Sequence, residues 1–206
     1  MNKPKIILVG AGGHCRSCID VIEQEDRFEI LGIIDQTAPK ESNTLLGYPI
    51  IGTDADLPAL KSKCEYAFVT VGQIKSSAVR IRLFDQLKEI GFKLPTIISP
   101  LAHVSRHAKI GEGTLVMHAA IVNANAEVGS NCILNTRSLL EHDSHIGDHV
   151  HLSTGAIING ASSVGDYSFI GSGAIVVHEV VLPKNSFVRA TQLVTSEKDV
   201  RVQETH

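Results

Sequence analysis

Tryptophan is missing from this 206-residue chain, and aromatic residues altogether make up only 4% of it. A chain so poor in large rings, yet rich in Gly, Val and Ile, suits thin, tightly wound β-structure better than a bulky sandwich core. Long hydrophobic runs are missing too. No apolar stretch approaches the roughly 18 residues of a spanning helix, so no membrane partner is expected. The N-terminal "MNKPKIILVGAGG" has a short apolar run leading straight into glycines, which reads as a buried strand and not as a signal peptide. An excess of one sign of charge is likewise absent, and a net charge of −3 gives no reason to expect nucleic acid as a partner. Cysteine is scarce. Cys15 and Cys18 form a lone C-x-x-C at the start of a helical stretch, with no second pair for zinc; with Cys64 and Cys132 they read as packing thiols in a reducing cytoplasm.

What is present falls into two periods. Hydrophobic content of 43% and charged content of 20% are ordinary for a globular protein, and the length allows one large domain or two small ones. Up to about residue 95, short β-rich runs alternate with helical ones. "KIILV", "FEILGIID" and "YAFVTVG" are predicted strands. Helices are predicted from Cys15 to about Glu25, over "TDADLPALKSK" with its capping residues, and over "SSAVRIRLFDQLKEIG", closed by Gly91. Alternation of this kind predicts a small parallel sheet of the Rossmann type over residues 1–98.

From residue 102 the period becomes six. Every sixth residue from Val104 to Val188 is aliphatic, fifteen in succession, and the position two before each is small or Val. An unbroken hexapeptide repeat predicts a parallel β-helix over residues 99–190, eighteen residues to the coil, with the aliphatic side chain inside. Coils then stack at about 4.8 Å. The repeat does not set the hand of the coil. After it, "TSEKDVRVQETH" reads as a polar, frayed tail within residues 191–206.

Two stretches carry chemistry. "GAGGHC" (residues 10–15) is an incomplete dinucleotide fingerprint with Asp35 about twenty residues on, and by itself it suits NAD, a nucleotide sugar or a bare βα turn. "LLEHDSHIGDHVHLSTGA" holds His142, His145, His149 and His151. Zinc needs three or four converging ligands, and these four lie at different phases of the turn, so no metal site is expected. His145 and His149 read as solvated turn residues. Stacking by eighteen puts Arg106, Ala124, His142, Gly160 and His178 in one outer column, with Gly160 one coil from His142. A missing side chain there leaves room for a ligand beside the imidazole. His151 is half a coil away, so both histidines could serve one site only across a threefold interface.

The combination of "GAGGH", "GIID" and "NTRSLLEHD" resembles the bacterial sialic-acid O-acetyltransferase and nucleotide-sugar N-acetyltransferase family, of the hexapeptide-repeat superfamily. The resemblance spans about residues 4–190. It implies a left-handed coil, a homotrimer and acetyl-CoA as co-substrate. It also implies acetyl transfer to the 4-amine of a UDP- or dTDP-linked amino-deoxy sugar, by direct attack. Catalysis is implied for His142 as general base with Asp143 orienting it, and cofactor binding for His151, Gly160 and Ser172. Nucleotide-sugar contacts are implied for His14, Cys15, Arg16, Asp35, Gln36 and Gly72. Two places depart from the family: Cys15 stands where Gly is usual, and "FVRATQLV" replaces its Gly-x-Pro-Ala-Lys-like segment. O-acetylation of a sialic acid or related glycan, and a non-catalytic trimeric scaffold, are the other functions open at this point.

Overall fold

The computed structural model describes residues 3–36, 44–74 and 76–203. The chain divides into two units, Met1–Ile97 and Ile98–His206.

The first unit is a five-stranded sheet with helices. Strand β1 (Lys5–Val9) leads into α1 (Gly13–Glu25), then β2 (Glu29–Ile34), β3 (Thr44–Leu45), β4 (Tyr48–Gly52), α2 (Leu57–Leu60), β5 (Tyr66–Val69) and α3 (Ala78–Ile90). The sheet order is β3-β4-β2-β1-β5, parallel except for β3, which returns antiparallel on β4. Central β1 reads as one apolar run because helices cover both faces of such a sheet. Ile7 and Val9 pack with Leu83, Phe84 and Leu87 of α3, while α1 buries Cys15, Cys18, Ile19, Val21 and Ile22. All four cysteines are free and buried.

Two details differ from expectation. The helix predicted over "TDADLPALKSK" is a 3₁₀ turn (Asp54–Asp56) running into only four α-helical residues; Thr53 and Asp56 form a capping box. The β3–β4 hairpin was not anticipated at all. Its turn places Leu46 and Gly47 at φ 48° and 86°, and leucine in a left-handed turn carries no sequence signal.

The second unit is a left-handed parallel β-helix. Three sheets of two-residue rungs form its faces. The first runs His103–Val104, Ile121–Val122, Leu139–Leu140, Ile157–Ile158, Ile175–Val176, Leu193–Val194. The second runs from Lys109–Ile110 to Val181–Leu182. The third includes Leu115–Val116, Ile133–Leu134, His151–Leu152, Phe169–Ile170 and Ser186–Val188. The second residue of each rung points inward, and these aliphatic residues make a single core. Burying each contributes roughly 1.5–3 kcal/mol.

The turns explain the other sequence pattern. Every sixth residue from Gly113 to Thr191 has positive φ, between 54° and 66°. Most are not glycine, and each such residue costs roughly 1–2 kcal/mol unless it is Asn or Asp, which tolerate the conformation. Small polar residues before the rungs also have a task. Thr114, Ser144 and Ser162 each donate a hydroxyl to the carbonyl fifteen residues on: Gly129, Asn159 and Val177, at 2.8, 3.1 and 2.7 Å.

The tail is more ordered than expected. Leu193–Val194 adds another rung, Ser196 and Asp199 cap a 3₁₀ turn (Glu197–Asp199), and Arg201–Val202 pairs antiparallel with Ser186–Phe187. Among the described residues no helix is long and apolar enough to cross a membrane.

Candidate active site

In the second unit, the corner after the first face carries His142 and Asp143. His142 and Asp143 are sequence neighbours, and neighbours ordinarily point apart. Here Asp143 has φ 59°, and the sharp corner turns both side chains to the same outer side. His142 Nδ1 lies 2.8 Å from Asp143 Oδ2. With Nδ1–H donating to the carboxylate, Nε2 is left as the free, basic nitrogen. The other carboxylate oxygen is also occupied: Asn125, one coil earlier, donates its amide to Asp143 Oδ1 at 2.8 Å. The Asn125 amide and, after it, the His142 ring hold the Asp143 carboxyl below the usual carboxylate range. Asp143 therefore stays charged at any pH where a histidine base works.

Gly160 sits one coil above His142. A Cβ at Gly160 would lie 2.9 Å from both Cε1 and Nε2 of the imidazole. The missing side chain thus leaves space at the basic nitrogen itself. Beyond it, His178 and Glu179 form a second pair at 3.2 Å, two coils from His142 in the same column. Beside His142, Glu141 accepts the Asn123 amide at 2.8 Å. Sequence reading overlooked Asn123 and Asn125, although both are found by counting back eighteen from Glu141 and Asp143.

The other histidines disperse. His145 points out from the second face, 3.8 Å from Glu127. His149 stacks on Tyr167 with centroids 5.3 Å apart and its Nδ1 3.0 Å from the Asn131 amide. His151 begins the third face, edge-on to Phe169 and only 5% exposed, with Nε2 3.3 Å from the Asn135 amide. Ser172 stands at the corner after the third face and shares a hydrogen bond of 2.9 Å with Ser153. Hence the candidate residues fall into two groups on one coil: His142, Asp143 and Gly160 at one corner, His151 and Ser172 elsewhere. Among the described residues no three potential metal ligands converge.

In the first unit, the glycine loop meets the C-terminal ends of the strands, where ligands of open parallel sheets bind. Gly10 has φ 109°, and a Cβ there would strike Val71 at 2.5 Å; around Gly12 and Gly13 the space is open. Gly12 caps α1 without a side chain, and no acid occupies the first turn, so the positive end of the helix is available to an anion. Asp35 Oδ2 accepts the Ala11 N–H, which ties the loop to β2. Gly72 lies three residues beyond the end of β5, and a Cβ there would touch His14 at 3.4 Å. His14, Asp35 and Gly72 therefore border one loop cluster, with Arg16 and Gln36 exposed nearby in sequence. The Cys15 side chain is wholly buried, as the reading of a packing thiol expects. Arg80 went unnoticed in the sequence. It is buried in α3 and donates to the carbonyls of Val69 and Val71, both at 2.8 Å, which fixes the loop that carries Gly72.

The PglD N-terminal domain family matches residues 5–87. No curated protein sequence matches the chain. Among solved structures, the acetyltransferase domain of PglB from Neisseria gonorrhoeae FA1090 is 27% identical, with a TM-score of 0.88, over 98% of this chain and 100% of that one. It has also been solved with acetyl coenzyme A. A mutant of perosamine N-acetyltransferase from Caulobacter crescentus, in complex with CoA and GDP-perosamine, is 26% identical with a TM-score of 0.87, over 98% and 97% of the two chains. The chain is similar to these acetyltransferases over nearly its whole length. WeeI from Acinetobacter baumannii AYE, 23% identical with a TM-score of 0.73, shares the acetyltransferase's fold.

Proposed function

We propose that this protein transfers the acetyl group of acetyl-CoA to the 4-amine of a nucleotide-linked amino-deoxy sugar. The observation that carries the reading is the His142–Asp143 pair with its basic nitrogen facing the space left by Gly160. A thioester is already activated, so no protein nucleophile is needed. The amine attacks the thioester carbonyl, His142 Nε2 takes the proton that the amine loses, and the CoA thiolate departs and receives that proton. Asp143 stabilises the imidazolium formed in between. Cys132, whose buried sulfur contacts the Gly147 carbonyl, takes no part. The glycine loop, His14, Arg16, Asp35, Gln36 and Gly72 hold the nucleotide end of the sugar. In a reducing cytoplasm the four cysteines stay thiols.

The same reading gives the enzyme a threefold form. The outward positions of the first face carry Ile121, Leu139, Ile157, Ile175 and Leu193 one above another. Leu193 is 58% exposed and Ile121 39%, an apolar row that a second copy would cover. Closure of three helices also supplies the second group, His151 and Ser172, to the corner bearing His142.

The experiment is CoA release from acetyl-CoA with a panel of UDP-, dTDP- and GDP-linked amino sugars, and their hydroxyl counterparts. An amino sugar is expected to be acetylated, and its hydroxyl counterpart to be inert; turnover of hydroxyl acceptors alone would replace amine transfer by O-acetylation. On the accepted substrate, Asp35→Ala is expected to raise KM for the sugar about tenfold and spare that for acetyl-CoA, the scale of one charge-assisted hydrogen bond. Equal effects on both KM values would remove Asp35 and its loop from the nucleotide site.

A further inference from the structure

Three residues, not two, make up the acid–base unit. We infer that Asn125 is a positioning residue for the reaction, holding Asp143 so that its carboxylate aims at His142 Nδ1. The inference rests on His142 being the base.

The geometry is a relay through two coils. Asn125 and Asp143 occupy the same turn position eighteen residues apart, with φ 61° and 59°. Their side chains leave the corner in parallel, one coil spacing apart, and the Asn125 amide reaches Asp143 Oδ1 at 2.8 Å. Oδ2 then faces His142 Nδ1, also at 2.8 Å. Asp143 is largely exposed, with 54% of its side chain open to solvent. An exposed carboxylate on a single turn residue has two rotatable bonds and no packing to hold it, so water competes for both oxygens. The Asn125 amide restrains that freedom by engaging one oxygen from the matching turn position one coil below.

The direction of the hydrogen bond matters. Asn125 donates, so it favours the ionised carboxylate, the form that orients the Nδ1–H tautomer and stabilises the imidazolium during the reaction. It does so without adding charge. A second carboxylate at this place would repel Asp143, and a cation would compete with His142 for it. An amide is the group that anchors Asp143 and leaves its charge for the imidazole. In the other sites of this column the pattern lapses, with His107 below and Ala161 above. The amide–carboxylate contact coincides with the one coil that bears the base.

The test is a double-mutant cycle. Asn125→Gly removes the amide and suits a positive φ, so it does not strain the turn. It is expected to lower kcat about ten- to a hundredfold, the usual worth of a hydrogen bond to a charged group. KM for both substrates and the thermal midpoint are expected to stay as in the parent. In an Asp143→Ala background the same substitution is expected to cost nothing, because its effect passes through Asp143. Asn125→Asp, of equal size but unable to donate when ionised, is expected to be slower than Asn125→Gly. Equal losses from Asn125→Gly in both backgrounds would overturn the inference, as would a parent-like rate for Asn125→Gly beside an inert His142→Ala. A fully active His142→Ala protein would overturn the base assignment first, and this inference with it.

Discussion

His142→Ala is expected to lower kcat by about 10²–10⁴-fold, the range over which a positioned general base acts. His142 stands at an open corner, with 59% of its side chain exposed, so its removal leaves no cavity and the β-helix is expected to keep its thermal midpoint. Binding of acetyl-CoA, measured by calorimetry, is expected to change little. The distinction is useful because a folding defect would lower both. An enzyme that retains most of its rate without His142 would end the mechanism proposed here, whatever substrate it takes.

Gly160→Ala is expected to be nearly as damaging, by a different route. The added methyl would lie 2.9 Å from two imidazole atoms of His142, too close for real contacts, so one group must move. The imidazole is exposed and on a flexible stem, and it yields at little cost in stability. A displaced base is a poor base, and a misplacement of about 1 Å can cost roughly a hundredfold in rate. The same variant reports on assembly. His142 and Gly160 share one column, so trimers mixed from His142→Ala and Gly160→Ala chains are expected to stay inactive. Mixtures of His142→Ala and His151→Ala chains are expected to regain activity at about a quarter of their interfaces, where two intact halves meet. No recovery in that second mixture would sink the intersubunit reading.

Periodicity made most of this fold legible. The aliphatic sixth residue must point inward whatever the details, and β1 with its helices follows equally from alternation. The failures have local causes. Val194 continues the inward series, but Gln192 takes the place of the small residue and hides the extra rung; its amide instead reaches Asp199 at 2.5 Å. The β3–β4 hairpin turns on Leu46, a residue no turn rule would choose. At the candidate site, the stacking of Gly160 on His142 was readable as a simple count of eighteen, whereas the pairing of His142 with Asp143 came from the family resemblance. Asn125 obeys the same count but was missed, because a turn asparagine has an ordinary explanation in its tolerance of positive φ.

The core and the chemistry of the β-helix answer to different arithmetic. An inward position is kept by any change of length that is a multiple of six, since each face accepts the same aliphatic residues. The column of Asn125, Asp143 and Ala161, and that of His142 and Gly160, survive only multiples of eighteen. A single hexapeptide inserted between residues 143 and 160 would leave the interior filled, yet carry Gly160 a third of a turn around the axis and away from the imidazole. Such a chain could fold as well as its parent and have no site. Length variation that is silent for stability is therefore free to erase activity, and two sequences with the same repeat need not hold the same constellation at any corner.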